Sequence, residues 1–274
     1  MKKIIALLMA MLLVLMMVAC TTEPEDPIDP DVNTPVDPVD PADPAEPADP
    51  ADPADPVDPV DPTEPEVTVT VMTYEEFVAA ELQAEVTVET YVQAKQGWWE
   101  KDGVGVATFY TENEEGAYFL YEMPCSKDDY DNKLTTGAKI RVTGYKAAWS
   151  GEVEIIDATY EVLEGEYVAQ AIDLTDKLGT EELINYQNRF AAFKGLTVEA
   201  VEYQNGQPGK DIYVTLGLNG ASYSFCVESY LTGPDTELYA AVDALEAGTV
   251  VDVEGFVYWY EGVNTHITAV TVAE

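Results

Sequence analysis

Glu85-Val86-Thr87-Val88-Glu89 returns 110 positions later as Gly195-Leu196-Thr197-Val198-Glu199, and Gly137 with Gly144 returns as Gly248 with Gly255 at an offset of 111. Apolar and polar residues alternate through both stretches, which is the period of a strand with one buried face. Outward from the first anchor, Glu85 to Gln96 and Val104 to Thr111 continue the alternation, and Ala117 to Met123 is a third strand rich in aromatics. Ser126 and Asp129 then open a polar segment with the spacing of a helix cap, and Lys139 to Ala148 with Val153 to Val162 reads as a closing hairpin. The second unit repeats this order. Leu196 to Tyr203, Asp211 to Leu218 and Ser222 to Ser229 read as strands, Glu237 to Glu246 as a helix, and Val250 to Tyr260 with Thr265 to Val272 as the hairpin. Each unit is β-β-β-α-β-β. A short helix precedes each, at Thr73 to Ala80, where Thr73 and Glu76 have capping-box spacing, and at Thr180 to Gln187, where Thr180 stands in capping position.

Three strands, a helix and two strands in about 90 to 100 residues is the element order of the OB-fold, a five-stranded Greek-key barrel. The predicted fold class is therefore all-β with short helices: two tandem OB-fold-like barrels, at residues 67–165 and 166–274. From Met72 to Glu164, with Tyr74-Glu75-Glu76-Phe77, Val86-Thr87-Val88-Glu89-Thr90-Tyr91, Gln96-Gly97-Trp98-Trp99 and Val142-Thr143-Gly144-Tyr145, the chain resembles OB-fold-like domains of surface lipoproteins from Gram-positive and gut bacteria. Leu196 to Ala273 is similar more loosely. The resemblance implies a fold and a cell-surface setting; its motifs carry no catalytic signature.

The N-terminus agrees with that setting. Lys2 and Lys3 precede the apolar run Ile4 to Val18, which is short for a membrane span and reads as an export signal. Leu15-Met16-Met17-Val18-Ala19-Cys20 resembles the lipobox of bacterial lipoproteins, with Met17 where Leu is usual. The resemblance implies that residues 1–19 are removed and that acyl chains on Cys20 hold the protein at the extracellular face of the cell membrane. The other reading is an ordinary signal peptide cut nearby, or an uncleaved anchor. Residues 21–66 hold 14 of the 17 prolines and 16 acidic residues with no Lys or Arg. Fixed φ, repelling carboxylates and no apolar bulk predict a disordered, extended stalk. At ~3.1 Å per residue it reaches on the order of 140 Å.

Residues 67–274 carry 36 acids against 11 bases, a net of −25. Such a surface repels phosphates, so nucleic acid is disfavoured as a partner, and neutral or cationic partners are favoured. The densest basic group is Lys139, Arg141 and Lys146, and only its clustering on a ligand face would revive a nucleic-acid reading. Beyond Cys20 only Cys125 and Cys226 remain. They either pair across the two units or sit as small buried apolar residues. His266, in an alternating strand, reads as structural rather than as the partner of a catalytic thiol.

An OB barrel binds on the face of its second and third strands, between the loops joining strands 1 to 2 and 4 to 5. On this reading Trp98 and Trp99 fall in the first loop and Trp149 at the tip of the second. Trp259, between Tyr258 and Tyr260, takes the comparable place in the second unit, and Tyr118 and Tyr121 lie in or beside the floor, on opposite sides of the sheet. Aromatic faces suit sugar rings, peptide side chains or cationic groups, and Glu100, Asp102 and Glu152 stand near enough in sequence to accept hydrogen bonds. Simple packing of these aromatics is the competing reading. Asp128-Asp129-Tyr130-Asp131-Asn132 has oxygen ligands but lacks the glycine turn and closing Glu of a calcium loop, and is accounted for by a helix start. The expectation is a non-catalytic binding module without metal or cofactor, for a neutral ligand such as a glycan or for a surface protein. A structural spacer is the alternative, and a carboxylate-based hydrolase and nucleic-acid binding rank last.

Overall fold

The chain is described by a computed structural model over residues 69–273. The export signal, Cys20 and the stalk lie outside the described residues. At Thr73 the expected capping box forms: its hydroxyl accepts from Glu76 N–H, and the Glu76 carboxylate accepts from Thr73 N–H at 2.8 Å. This starts α1 (Tyr74–Ala79), whose one buried residue, Phe77, plugs the end of the first barrel. Lys146 finishes the helix, its ammonium donating to the carbonyls of Phe77, Val78 and Ala80 at 2.8–2.9 Å.

The first barrel contains β1 (Glu85–Lys95), β2 (Trp99–Lys101), β3 (Val104–Glu112), β4 (Ala117–Pro124), α2 (Lys127–Asn132), β5 (Ala138–Trp149) and β6 (Glu152–Glu166). Pairing runs β1-β5-β6-β4-β3 and closes through β3 onto β1, with β4 and β6 parallel. The second contains β7 (Ile172–Asp173), β8 (Phe190–Tyr203), β9 (Ile212–Leu218), β10 (Ala221–Val227), α3 (Glu237–Asp243), β11 (Val250–Phe256) and β12 (Thr265–Val272). It closes in the same order, β8-β11-β12-β10-β9 and back to β8, with β10 and β12 parallel. The fold is all-β with short helices: two five-stranded OB-type barrels. The pairs β2 and β7 are additions that the alternation did not announce. Ser126 and Thr236 cap α2 and α3 through their side chains, whereas Glu181–Tyr186 is a 3-10 helix for which Thr180 makes no side-chain cap.

The repeated glycines occupy equivalent corners. Gly137 and Gly248 turn at φ 90 and 91°, and each donates to a carbonyl of its barrel's first strand, Val92 at 2.7 Å and Val198 at 2.8 Å. Gly144 and Gly255 lie where the fourth strand crosses the fifth; a Cβ there would approach Ile155 within 2.7 Å and the His266 carbonyl within 2.1 Å. These contacts correct the sequence repeat. Tyr91 bridges both neighbours of β1, Glu112 and Lys139, and Thr197 bridges both neighbours of β8, Gly217 and Val250. Thr197 therefore corresponds to Tyr91, not to Thr87. An even shift leaves every side chain on the same face, so alternation could not detect the slip.

Val88, Phe109, Leu120, Ile140 and Ile155 fill the first barrel, and Phe193, Leu196, Leu216, Phe225 and Val253 the second. All described residues belong to one compact unit. A third core joins the barrels: Tyr110 and Phe119 pack with Phe256, the Tyr110 and Phe256 rings stacking at 4.5 Å. Beside it the buried Glu112 carboxylate pairs with Arg189 at 2.7 Å and accepts from Phe190 N–H at 2.7 Å. The connector is packed too, since Ala169 N–H donates to Gln93 Oε1 at 2.9 Å, and Leu174 and Leu178 are buried.

Candidate functional site

The first barrel meets this seam with Tyr110 of β3 and Phe119 of β4, and the second with Phe190 of β8 and Phe256 of β11, while Tyr213 of β9 and Cys226 of β10 face the space beside it. Past Tyr110 and Phe119 the seam opens into a groove of about 470 Å³. Tyr121, Trp149 and Glu154 line it from the first barrel, and Tyr213, Glu228, Tyr258, Tyr260, Asn264 and His266 from the second. A neighbouring hollow of about 680 Å³ is lined by Trp98, Trp99, Thr108, Glu122 and Tyr230, and shares Gln96 and Tyr121 with the groove. Tyr258 is wedged between Phe119 at 5.3 Å and His266 at 4.3 Å, and Trp149 leans on Tyr260 at 5.2 Å. Six aromatic side chains are exposed among the described residues, and five of them (Trp99, Tyr121, Trp149, Tyr230, Tyr260) lie here, 43–71% exposed. The sixth is Tyr145.

No Lys or Arg lines either hollow. Glu122 pairs with Lys101 at the edge, but Glu154 and Glu228 have no cationic partner among the described residues. Glu228 accepts from Leu231 N–H at 2.8 Å, yet burial, with Asp211 adding to it, pushes its carboxyl up to about 7. Burial and the neighbouring Glu122 also raise Glu154. His266 is 5% exposed and burial holds it down at about 3, so its imidazole is neutral. Its Nδ1 meets the Tyr110 hydroxyl at 2.5 Å, and its Nε2 has no hydrogen-bond partner among the described residues. Cys226 pairs with His266 in the β10–β12 register, but burial raises its thiol, so the two do not make a thiolate–imidazolium pair. Cys125 and Cys226 are both free and buried.

Trp99, Tyr121 and Trp149 thus lie at the hollows. Trp98 also lines the second hollow, but it is half-buried, its Nε1 donates to Cys125 O at 3.0 Å, and it packs over Gly105. Tyr118 corrects the expectation of a groove residue: it is 1% exposed and packs edge-on to Phe77 at 4.9 Å, because α1 closes the barrel over that side of β4. Trp259 is likewise not at the groove. Its ring packs on the core of the second barrel and over Gly151, and its N–H donates to Glu152 at 2.9 Å. Glu152 is buried, bonded also to Asn188, and so is withdrawn from any ligand; Glu100 and Asp102 line neither hollow. The acids of α2 are engaged locally, Asp129 by Lys133 at 2.7 Å and Tyr160 at 2.6 Å, and Asp131 by Lys127 at 2.5 Å. The basic residues singled out in the sequence are engaged as well: Lys139 and Arg141 both pair with Glu89, at 2.7 and 2.8 Å, and Lys146 caps α1. Tyr213, Tyr230, Glu154 and Glu228 were not anticipated. Tyr213 and Tyr230 had a signal, since they belong to the second and third strands of unit two and to the loop after them, where unit one carries Tyr121.

No family model matches the chain, and no curated protein sequence matches it. Solved structures that are similar include a murine DNA-binding protein bound with double-stranded DNA (11% identity, TM-score 0.34, 69% of this chain and 96% of that one). A HINb domain (11%, 0.32, 71% and 100%) and a replication protein A heterotrimer bound to single-stranded DNA (12%, 0.32, 70% and 49%) are similar to the same degree. A likeness of this size bears on neither ligand nor activity.

Proposed function

We propose that this protein is a non-catalytic binding module of the cell surface, held by lipid on Cys20 and raised on its acidic stalk, and that a glycan lies in the groove between the barrels. The concentration of five of six exposed aromatics in two adjoining hollows carries this reading. Large rings left in water cost hydration free energy that burial against the flat face of a sugar would recover. Gln96, Gln204 and Asn264 supply amide donors and acceptors beside those rings, the pairing that hydroxyl groups require. Phosphate backbones suit the groove poorly, because it has carboxylates and no basic lining, and Lys139, Arg141 and Lys146 are already bonded to acids or carbonyls.

The test is a tryptophan-fluorescence titration of residues 67–274 with β-1,4-linked hexasaccharides, in the native chain and in Trp149→Ala and Tyr121→Ala. Saturable quenching that either variant weakens at least about tenfold supports the reading, a loss of about 1.4 kcal/mol. Identical flat titrations in all three would replace the ligand groove with a spacer role.

A further inference from the structure

The charge of the groove says more about its occupant than its rings do. Glu154, Asp211 and Glu228 all line the hollow that Tyr258 and Trp149 wall, and no cationic side chain faces it. Elsewhere acids near a base are paired with it: Glu89 takes Lys139 and Arg141, Glu112 takes Arg189, and Asp129 takes Lys133. Glu228 is nine-tenths buried and is held only by neutral donors, the N–H groups of Tyr230 and Leu231. Asp211 is held by the N–H and hydroxyl of Ser229. A carboxylate removed from water without a counter-charge, as Glu228 is, favours whatever brings one. A second observation, independent of the acids, points to a polar ligand group here: His266 is also more than nine-tenths buried, lines the same hollow, and leaves Nε2 without a protein partner.

Resting on the glycan reading above, we infer that the ligand is a glycan with a free, protonated amine, a hexosamine that has not been N-acetylated. Its ammonium sits between Glu228 and Glu154 against the Tyr258 ring, and its pyranose face lies on Trp149 and Tyr260. The ammonium donates charge-assisted hydrogen bonds to the carboxylates and is attracted to the electron-rich ring face. The flat apolar face of the sugar covers the exposed rings, and His266 Nε2 is left to a ring hydroxyl. An N-acetylated sugar brings no charge and adds bulk at the same carbon, so the site discriminates between the two forms.

Three β-1,4 hexamers that differ only at C2 decide the matter: glucosamine, N-acetylglucosamine and glucose, titrated at pH 7 and moderate salt into the stalkless chain, its Glu228→Gln and Glu154→Gln variants, and with pentalysine as a control for charge alone. The expected result is binding of the glucosamine hexamer at least about tenfold tighter than of the other two. In either Gln variant that preference should fall to within about threefold, while the glucose hexamer still binds, which shows that the variant is folded. Equal binding of the three hexamers overturns the amine and leaves the groove reading intact. Pentalysine binding as tightly as the glucosamine hexamer also overturns it, since the site would then read charge without sugar. Failure of every hexamer to bind overturns both readings.

Discussion

Trp149 and Trp259 stand on the same hairpin of two copies of one fold, and they do opposite things. Trp149, at the end of β5, is more than half exposed, and its ring leans on Tyr260. Trp259, in the longer connection between β11 and β12, folds back onto the core of its own barrel and over the Gly151 turn of the other. The difference arises from the turn. β5 and β6 are joined directly through Ser150 and Gly151, both at positive φ, and Trp149 at this tip stays more than half exposed. Duplicating a unit therefore duplicated its closure, not its surface. One copy of the hairpin leaves its ring in solvent at the groove, and the other packs its ring against both barrels.

Breaking that packing should give the largest effect. Trp259→Ala removes a large, half-buried ring from the second core and uncovers Gly151, and should destabilise the protein by about 2–4 kcal/mol in urea unfolding. A loss below that of Trp149→Ala would erase the contrast. Glu152, which joins the hairpins through Trp259 N–H and Asn188, gives the next effect and adds a pH signature. Burial lifts its carboxyl from 4.5 to about 8 in the folded protein. The native state then holds a proton that the unfolded chain has released. The stability is present in full below the unfolded value, falls as pH rises, and is lost by the folded value. Between pH 6.5 and 8 the native protein should therefore lose on the order of 1–2 kcal/mol relative to Glu152→Gln, which keeps the shape without the proton. Parallel curves for the two proteins over that window would show that Glu152 is ionised in the fold. Gly151→Ala comes third. Its Cβ would stand 2.7 Å from Trp259 Cδ1 at a φ of 99°, which should cost about 1–3 kcal/mol, and much less in a Trp259→Ala background if the ring is what it meets.

The barrels could be read in the sequence because each strand has one wet face, and period-two alternation survives wherever that holds. Gly137 and Gly248 were legible for a different reason, since a positive φ admits few other residues. What alternation cannot resolve is anything even in register or closed from outside the strand. The four-residue slip between Glu85–Glu89 and Gly195–Glu199 preserved every facing. Tyr118 and Tyr121 were rightly put on opposite faces, but which face α1 would cover depends on a helix some forty residues away in sequence. The seam of Tyr110, Phe119 and Phe256 is a contact between units, and no local pattern encodes it. Glu154 and Glu228 stayed hidden for the opposite reason. In a chain this acidic any carboxylate is a candidate, and only their place in the groove, with no cation beside them, singles these two out.

The smallest effect on stability should accompany the largest effect on binding, at Trp149. The residue is more than half exposed, and its aromatic neighbour Tyr260 is itself exposed. Removing it buries no new polar group and opens no cavity, so Trp149→Ala should shift unfolding by no more than about 0.5 kcal/mol. If the ring is a ligand platform, the same variant loses the stacking surface and should weaken hexasaccharide binding about tenfold or more. The two measurements on one variant separate the roles that a Trp can play on this hairpin. A protein that unfolds earlier yet binds as before would make Trp149 a packing residue like Trp259, and the hairpins of the two barrels would then differ in geometry alone.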